Sequence, residues 1–324
     1  MEAKILDTVG YILEKCGSLT QEDRVCLIFD ESTENIGSYF QDCLKSRNIE
    51  FSSVVVPEQL NHGQEPPMSV ALEMLDSTLI ICLTKYSMAH TNARRNATSR
   101  FSRFLSLPYY DHELLDDPAV RVDYKSQAPQ VRYLADYLTN GNKAEVKSNL
   151  GTSLVMDISG RIGNYCPGFV EKPGDLGSPP DIEANVSPLE GGSNGMIAVD
   201  GSITCDELGL LETPVFLTVE KGKVIGIESA NGNYVEILEE LLGPINSKRR
   251  VVAELGIGVN PLAKLTGKML TDEGAYGFVH FGLGSNSTVG GLNDAGFHLD
   301  FVISKPSLWV DGHQLISLGG FLPS

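Results

Sequence analysis

The sequence predicts an α/β N-terminal domain with a mostly parallel open sheet over residues 1–145. A C-terminal α+β domain is predicted over residues 150–324. The chain has 324 residues, which is too many for one ordinary hydrophobic core. Short apolar runs alternate with helical patterns in the first half, whereas strands alternate with glycine-rich turns in the second half. Because the first pattern is typical of βαβ units and the second of antiparallel sheets, we expect two domains.

The first half opens with a helix and continues with buried strands. Apolar residues recur at helical spacing and predict an amphipathic helix over residues 3–15. Because ligands of open α/β sheets bind beyond the carboxyl ends of the strands, we expect function near Asp30 and residues 84–95. Short apolar or β-branched runs predict parallel strands at 25–29, 51–56 and 78–83.

The second half begins after a polar linker, predicted at residues 139–149 around an Asn-Gly-Asn turn. A helix is predicted at 234–242, and a long ordered loop at 173–188, where four prolines interrupt any apolar period. Strands, mostly antiparallel, are predicted at 153–158, 195–203, 215–219, 223–227, 250–257, 276–282, 297–303 and 307–310.

Composition excludes several classes of function. The formal net charge is −17, which repels nucleic acid phosphates and anionic lipids, so neither nucleic acid nor membrane is an expected partner. No stretch approaches the roughly 18 apolar residues of a membrane span, and the N-terminus lacks the features of a signal peptide. Six scattered cysteines without a CxxC pair suit a reducing compartment, so a cytoplasmic location is expected.

Candidate metal ligands occur in three segments of the second half. His298 and Asp300 lie two residues apart in a predicted strand and therefore share one face, which could present an imidazole and a carboxylate to a metal ion. Glu254 lies within an apolar strand, where an acid requires a cation, a proton or hydrogen bonds. His280 and Glu183 complete the candidate set.

Each candidate also has a purely structural interpretation. His280 could be a hydrogen-bonded residue of a glycine-rich loop, and Glu183 could be an ordinary surface acid. Glu254 could form an ion pair with a nearby base. The candidate bases for that pair are Arg249, Arg250 and Lys264.

Motifs along nearly the whole chain resemble those of one group of metalloenzymes. The chain resembles the leucyl aminopeptidase-type metallopeptidases related to aminopeptidase T, together with shorter relatives that include 2,5-dihydroxypyridine ring-cleaving dioxygenases. The segments that carry the resemblance are Ser87-Met-Ala-His-Thr-Asn-Ala-Arg94, Glu183 five residues before Pro188, Asn194 to Ile203, Glu254-Leu-Gly-Ile-Gly-Val-Asn260, His280-Phe-Gly-Leu-Gly284 and His298-Leu-Asp300.

The resemblance implies a metal site and a homodimer. In the aminopeptidases two divalent ions are held by two glutamates, two histidines and an aspartate. These map onto Glu183, Glu254, His280, His298 and Asp300. The dioxygenases bind one ferrous ion and carry His where this chain has Glu254, without equivalents of Glu183 or His280. The aminopeptidases have a catalytic Tyr where this chain has Ser287.

The main prediction of function is a metal-dependent hydrolase that acts on an amide or peptide bond of a small molecule or peptide. Two ions of zinc, cobalt or manganese would activate a water molecule, and Glu183 or Glu254 would orient it. The alternative is a non-haem Fe(II) oxygenase that cleaves a hydroxylated aromatic, with one iron and His90 as proton shuttle. A second alternative is a non-catalytic binding protein on the same fold.

Two arginines near His90 admit two interpretations. Arg94 and Arg95 could receive a substrate carboxylate through a bidentate fork, or they could form a solvated or salt-bridged helix face.

Overall fold

The computed structural model describes residues 2–323, in which strands outnumber helices. The α-helices are α1 (Glu2–Tyr11), α2 (Glu34–Ser46), α3 (Met68–Leu75), α4 (Asn92–Arg100), α5 (His112–Asp116), α6 (Tyr124–Asn140), α7 (Gly232–Leu242) and α8 (Met269–Asp272). A π-helical turn continues α1 over Ile12–Cys16, and 3₁₀ turns span Pro118–Arg121 and Lys248–Arg250. None of the helices in this described range is long and apolar enough to cross a membrane.

The strands form three sheets. In the first half of the chain they are β1 (Arg24–Phe29), β2 (Glu50–Val55), β3 (Leu79–Leu83), β4 (Arg103–Ser106), β5 (Lys143–Lys147) and β6 (Ser153–Asp157). The middle of the chain adds β7 (Asn164–Cys166), β8 (Leu176–Gly177), β9 (Glu183–Val186), β10 (Ser193–Val199), β11 (Ser202–Ile203), β12 (Gly209–Leu210), β13 (Val215–Glu220) and β14 (Lys223–Ser229). The last part contributes β15 (Val252–Gly258), β16 (Val279–Gly284), β17 (His298–Ile303), β18 (Ser307–Val310), β19 (His313–Ser317) and β20 (Gly320–Phe321).

The first compact unit comprises residues 1–124 and 166–180 and is built on a parallel sheet. Its strand order is β2-β1-β3-β4-β8, and every neighbouring pair is parallel. All residues of β3 and β4 are buried, which explains why these strands are apolar without alternation. The predicted parallel sheet of the N-terminal half is therefore confirmed.

An ion pair lies buried at the amino ends of β1 and β4. Arg103 Nη2 lies 2.5 Å from Asp23 Oδ1, and both side chains are at least nine-tenths buried. Arg103 also donates to the carbonyl of Ser18, while Thr78 Oγ1 and the Thr20 backbone N–H donate to Asp23. Burial alone would raise the pKa of Asp23, but these hydrogen bonds hold it below its ordinary value.

The second compact unit comprises residues 125–165 and 181–324 and contains two large sheets. The eight-stranded sheet has the order β14-β13-β10-β6-β5-β18-β19-β20 and consists of antiparallel pairs. The seven-stranded sheet has the order β12-β11-β17-β16-β15-β9-β7, and β9, β15, β16 and β17 pair antiparallel at its centre. The mostly antiparallel second half is also as predicted. The boundary predicted near residues 145–150 stays a prediction.

Several elements differ from the sequence-based expectation. The predicted loop at 173–188 contains β8 and β9, because short buried segments add to sheets whose other strands come from distant parts of the chain. The strand β4 was not predicted. The predicted linker at 139–149 contains β5, whose alternate residues are buried in the eight-stranded sheet. The strand predicted at 276–282 begins at Val279, since Gly277 lies in a turn with φ of 76°.

The Asp23–Arg103 pair yields a prediction on stability. We expect Asp23→Asn to lower the free energy of unfolding at pH 7 by on the order of 3 kcal/mol, because Arg103 would keep an uncompensated buried charge. Since the pKa of Asp23 is lower in the folded state, its contribution is complete above the unfolded pKa near 4 and is lost as the pH falls through the folded pKa.

Urea unfolding at pH 7 and pH 3 measures this difference. The control is Asp7→Asn, which removes the exposed partner of Arg121 and should change the free energy of unfolding by less than about 1 kcal/mol. Equal effects of the two substitutions at pH 7 would contradict the prediction.

Candidate metal centre

The candidate ligands lie on four adjacent strands at the centre of the seven-stranded sheet. Each strand contributes to the same face, since residues two apart in a strand point the same way. The residues are Glu183 on β9, Glu254 on β15, His280 on β16, and His298 and Asp300 on β17. All five metal ligands predicted from the sequence are thus brought together within the second unit.

Glycines stand opposite these ligands in the strand register. Gly256 pairs with His280, and Gly282 lies between Glu254 on one side and Asp300 on the other. A Cβ atom at Gly256 would lie 2.0 Å from His280 Nε2, and one at Gly282 would lie 2.6 Å from His298 Cε1. These glycines therefore leave the space that the two imidazole rings occupy.

The ligand atoms form two groups that share one carboxylate. One group contains Glu183, Glu254 and His280, and the other contains Glu254, His298 and Asp300; the chosen ligand atoms of each group lie within 4.8 Å of one another. His280 Nε2 lies 3.1 Å from Glu183 Oε2, and His298 Nε2 lies 3.2 Å from Asp300 Oδ1 and 3.4 Å from Glu254 Oε2. Neither group contains both imidazoles.

Hydrogen bonds orient the side chains of the cluster. His298 Nδ1 donates to the Ser285 carbonyl at 2.8 Å, so Nε2 is the nitrogen that faces the carboxylates. Asn185 Nδ2 donates to Glu183 Oε1 at 2.6 Å, and Asn164 Nδ2 donates to Asn185 Oδ1 at 2.7 Å. In neutral His298, Nε2 carries a lone pair toward two carboxylates, an arrangement that needs a proton or a cation between them.

Burial and close carboxylates shift the pKa values of the cluster. Burial and the neighbouring Glu183 carboxylate raise the pKa of Glu254 to about 8. Burial lowers the pKa of His280, but Glu183 outweighs it and raises the value to about 9. For His298 burial is likewise outweighed, here by Asp300, and the pKa rises to about 10. Without a metal ion the cluster therefore retains protons near neutral pH, and a divalent cation would displace them.

The residues fit a divalent metal ion. His280 Nδ1 is buried and has no hydrogen-bond partner among residues 2–323, and buried Glu183 Oε2 has only its 3.1 Å contact with His280 Nε2. Buried polar atoms without partners are costly, and ligation of an ion would satisfy the carboxylate oxygens and imidazole nitrogens. Imidazole and carboxylate donors suit zinc, manganese, cobalt and ferrous iron alike. The donor set therefore indicates a metal centre without selecting the metal or the number of ions.

The structural alternatives for Glu254 and Glu183 do not apply. Arg250 pairs with Glu239, while Arg249 donates to the carbonyl of Leu241. Lys264 forms no ion pair with Glu254 in the described part of the chain. Glu254 instead faces His298, and Glu183 is only 6% exposed rather than a surface acid.

Two further acids near the cluster were missed by the sequence analysis. Burial raises the pKa values of Asp181 and Glu273 well above their ordinary values, and the nearby carboxylates of Glu183 and Asp300 raise both further. Asp181 Oδ1 and Glu273 Oε1 have no hydrogen-bond partner in the described part of the chain. The two-residue spacing of Asp181 and Glu183 in the sequence could have indicated that Asp181 lies near the cluster. No comparable pattern marks Glu273.

His90 and Ser287 lie outside both groups. His90 belongs to the first unit, where it is exposed in the turn before α4. Ser287 is exposed in the turn that follows β16. The proton-shuttle role of His90 stays a prediction.

Comparison with known proteins identifies related enzymes. The sequence matches the NicX family, 2,5-dihydroxypyridine 5,6-dioxygenase, over residues 19–323. The structure is similar to that of 2,5-dihydroxypyridine dioxygenase from Pseudomonas putida KT2440, with a TM-score of 0.85, 15% identity, and coverage of 100% of this chain and 98% of that chain. It is also similar to AmpT from Thermus thermophilus, with a TM-score of 0.69, 14% identity, and coverage of 99% of each chain. No curated protein matches the sequence significantly.

These comparisons support the predicted relationship to the dioxygenases and to the aminopeptidase T type. They do not support leucyl aminopeptidases specifically.

The glycine opposite His280 yields a second prediction. We expect Gly256→Ala to reduce the bound metal per chain and to lower the free energy of unfolding by about 1–3 kcal/mol, because the new Cβ displaces the His280 ring. Elemental analysis and urea unfolding measure both effects.

The matched control is Gly226→Ala, also in a strand of the second unit. Its Cβ would meet only Thr218 at 3.6 Å, an ordinary contact distance. Wild-type metal content in Gly256→Ala, or an equal loss in Gly226→Ala, would show that the clearance opposite His280 is not needed.

Proposed function

The chain belongs to the NicX family of 2,5-dihydroxypyridine 5,6-dioxygenases, and we propose that it is a metal-dependent oxygenase that cleaves the ring of a hydroxylated aromatic. The observation that carries the proposal is the family match over residues 19–323, which spans all five candidate ligands. Both the family and the similar structures are enzymes, which favours catalysis over a purely binding role. The proposed substrate is a small molecule.

Three residues of one group would hold a single ferrous ion. They are Glu254, His298 and Asp300, which provide one imidazole and two carboxylates. When bound there, ferrous iron supplies the electron exchange with dioxygen that aromatic ring cleavage requires. The chain departs from the dioxygenase pattern at Glu254, where those enzymes carry His. A carboxylate in place of an imidazole adds negative charge to the site.

The chain's own side chains would orient ligands and handle protons. The Ser285 carbonyl holds the His298 ring so that Nε2 faces the other two ligands. The neighbouring Glu183–His280 pair, with 3.1 Å between Oε2 and Nε2, is the proposed acceptor of the substrate hydroxyl proton. Because burial removes competing water, a proton held between these two groups would stay within the site. His90 remains the proposed shuttle to solvent.

A second candidate function is a two-metal hydrolase, favoured by the second ligand group. Glu183, Glu254 and His280 form a site of their own, and Glu254 belongs to both groups. A carboxylate shared by two ions suits the paired sites that bind and activate water for amide hydrolysis. In that case Asp181 or Glu273, which are not among the five ligands, would be the remaining acids available for proton transfer.

Metal content and oxygen uptake separate the two candidates. For protein purified anaerobically without chelator, we expect one iron per chain and oxygen consumption with dihydroxylated pyridines or benzenes. His298→Ala, which removes one of the three ligands of this ion, should lose both the iron and the uptake. Two zinc, cobalt or manganese ions per chain, with amide hydrolysis and no oxygen uptake, would replace the oxygenase by the hydrolase.

Glu183→Gln is expected to distinguish the roles of the second group. If Glu183 belongs to a proton-handling pair, the variant keeps one metal ion while its rate falls about 10²–10⁴-fold, the range typical of a lost acid–base group. The pH profile should change as well. If Glu183 is a ligand of a second ion, the variant binds one ion where wild type binds two, which elemental analysis detects directly.

A further inference from the structure

Arg94 differs from the other arginines that are at least partly buried. Among residues 2–323 there are five such arginines, and four of them pair with a carboxylate. The four pairs are Arg47–Glu14, Arg103–Asp23, Arg161–Glu190 and Arg250–Glu239. Arg94 makes no ion pair with any residue of the described chain. In a protein with 42 acidic residues, a partly buried guanidinium without one is an exception that needs an explanation.

The contacts of Arg94 leave its terminal nitrogens available. Its Nε donates to the carbonyl of Ala89 at 2.5 Å, which fixes the direction of the guanidinium. Neither Nη atom hydrogen-bonds to a residue within the range 2–323. Burial, with a smaller contribution from Arg95, lowers the pKa of Arg94 to about 10, which still leaves it charged at neutral pH. The two Nη atoms of Arg94 therefore present two parallel N–H donors, a geometry that matches the two oxygens of a carboxylate.

No carboxylate of the described residues bonds to the Arg94 guanidinium. It lies in the first turn of α4, where the helix dipole disfavours a cation. Glu65 lies at the same helix end, but its two oxygens accept from the backbone N–H groups of Asn92 and Ala93, at 2.5 and 3.1 Å. Arg95 is exposed and donates to the carbonyl of His90. An external anion would offset this excess of positive charge.

Aromatic side chains cluster beside the turn of Ser87 to Ala89, whose last carbonyl accepts from Arg94. Tyr86 follows β3 and Tyr109 follows β4, the adjacent strand, and their ring centroids are 5.9 Å apart. His62 packs against both rings, at 5.2 and 5.8 Å, and accepts from the Ser87 backbone N–H. Ligands of open parallel sheets bind beyond these carboxyl ends. The charge of Lys85 at this edge is already paired with Glu58.

We propose that Arg94 binds the carboxylate of an aromatic carboxylic acid, whose ring packs against the cluster of Tyr86 and Tyr109. The planar fork selects a carboxylate, and the partly buried rings select an aromatic body. This subsite goes beyond the proposed function, because ring cleavage by itself requires no carboxylate on the ligand.

Calorimetric titration of the metal-loaded full chain with benzoate tests the subsite. Benzoate should bind, whereas benzamide, its neutral analogue, should not. Arg94→Gln should weaken benzoate binding about tenfold to a hundredfold, as expected when hydrogen bonds to a charged group are lost. Arg94→Lys should be intermediate, since it keeps the charge but loses the fork. Arg95→Gln is the matched control, and it should bind benzoate as wild type does.

Three results would overturn the proposal: unchanged benzoate affinity in Arg94→Gln, no benzoate binding by wild type, or tighter binding of inorganic phosphate than of benzoate. Titration of Glu254→Gln separates this test from that of the metal site. Glu254→Gln should bind benzoate with wild-type affinity. A negative oxygenase assay would therefore not contradict the proposed carboxylate subsite.

Unfolding experiments separate ligand binding from a structural role of Arg94. Without ligand, Arg94→Gln should be at least as stable as wild type toward urea, because an uncompensated charge has been removed. A lower urea midpoint together with unchanged benzoate affinity would show that Arg94 only supports the Ala89 turn.

Discussion

The burial of three carboxylates and two imidazoles on one sheet face is the constraint on which the second unit depends. Four of these side chains are less than a tenth exposed. Burial and close carboxylates raise the pKa of Glu254, and the carboxylates raise the pKa values of His280 and His298 despite burial. Isolated buried carboxylates would be strongly destabilising, and protons relieve only part of their repulsion. A divalent cation resolves the conflict, because it neutralises the carboxylates and accepts the imidazole lone pairs.

The sheet meets this constraint through its register. In β15 and β16 a glycine follows the ligand two residues later, Gly256 after Glu254 and Gly282 after His280, and the sheet sets a glycine beside each imidazole ring. The two imidazole rings thus occupy space that side chains at Gly256 and Gly282 would fill. Gly256 and Gly282 therefore clear room for the metal ligands.

The family match and the geometry of the metal site favour different reactions. The family match points to oxygenation of a hydroxylated ring, whereas two ligand groups joined by Glu254 favour a pair of ions. Both kinds of chemistry can use the same cluster, because one group can hold an ion while the other moves protons. Which of these occurs depends on whether Glu183 and His280 bind a cation or keep a proton.

Sequence alone determined the parallel and antiparallel halves and the five candidate ligands. The spacing of apolar residues along a strand indicates which side chains are buried. In His298-Leu-Asp300 the side chains of His298 and Asp300 lie on the same face, because they are two residues apart. Only the family resemblance indicated that Glu183 belongs to the metal site, because the proline-rich stretch around Glu183 has no strand pattern.

Tertiary structure decided the rest, because pairing between distant strands has no local signature. It brought β9 beside β15, divided the ligands into two groups that share Glu254, and added Asp181 and Glu273. It also distinguished Arg94 from the other arginines, since the absence of a counter-ion depends on every neighbour in space.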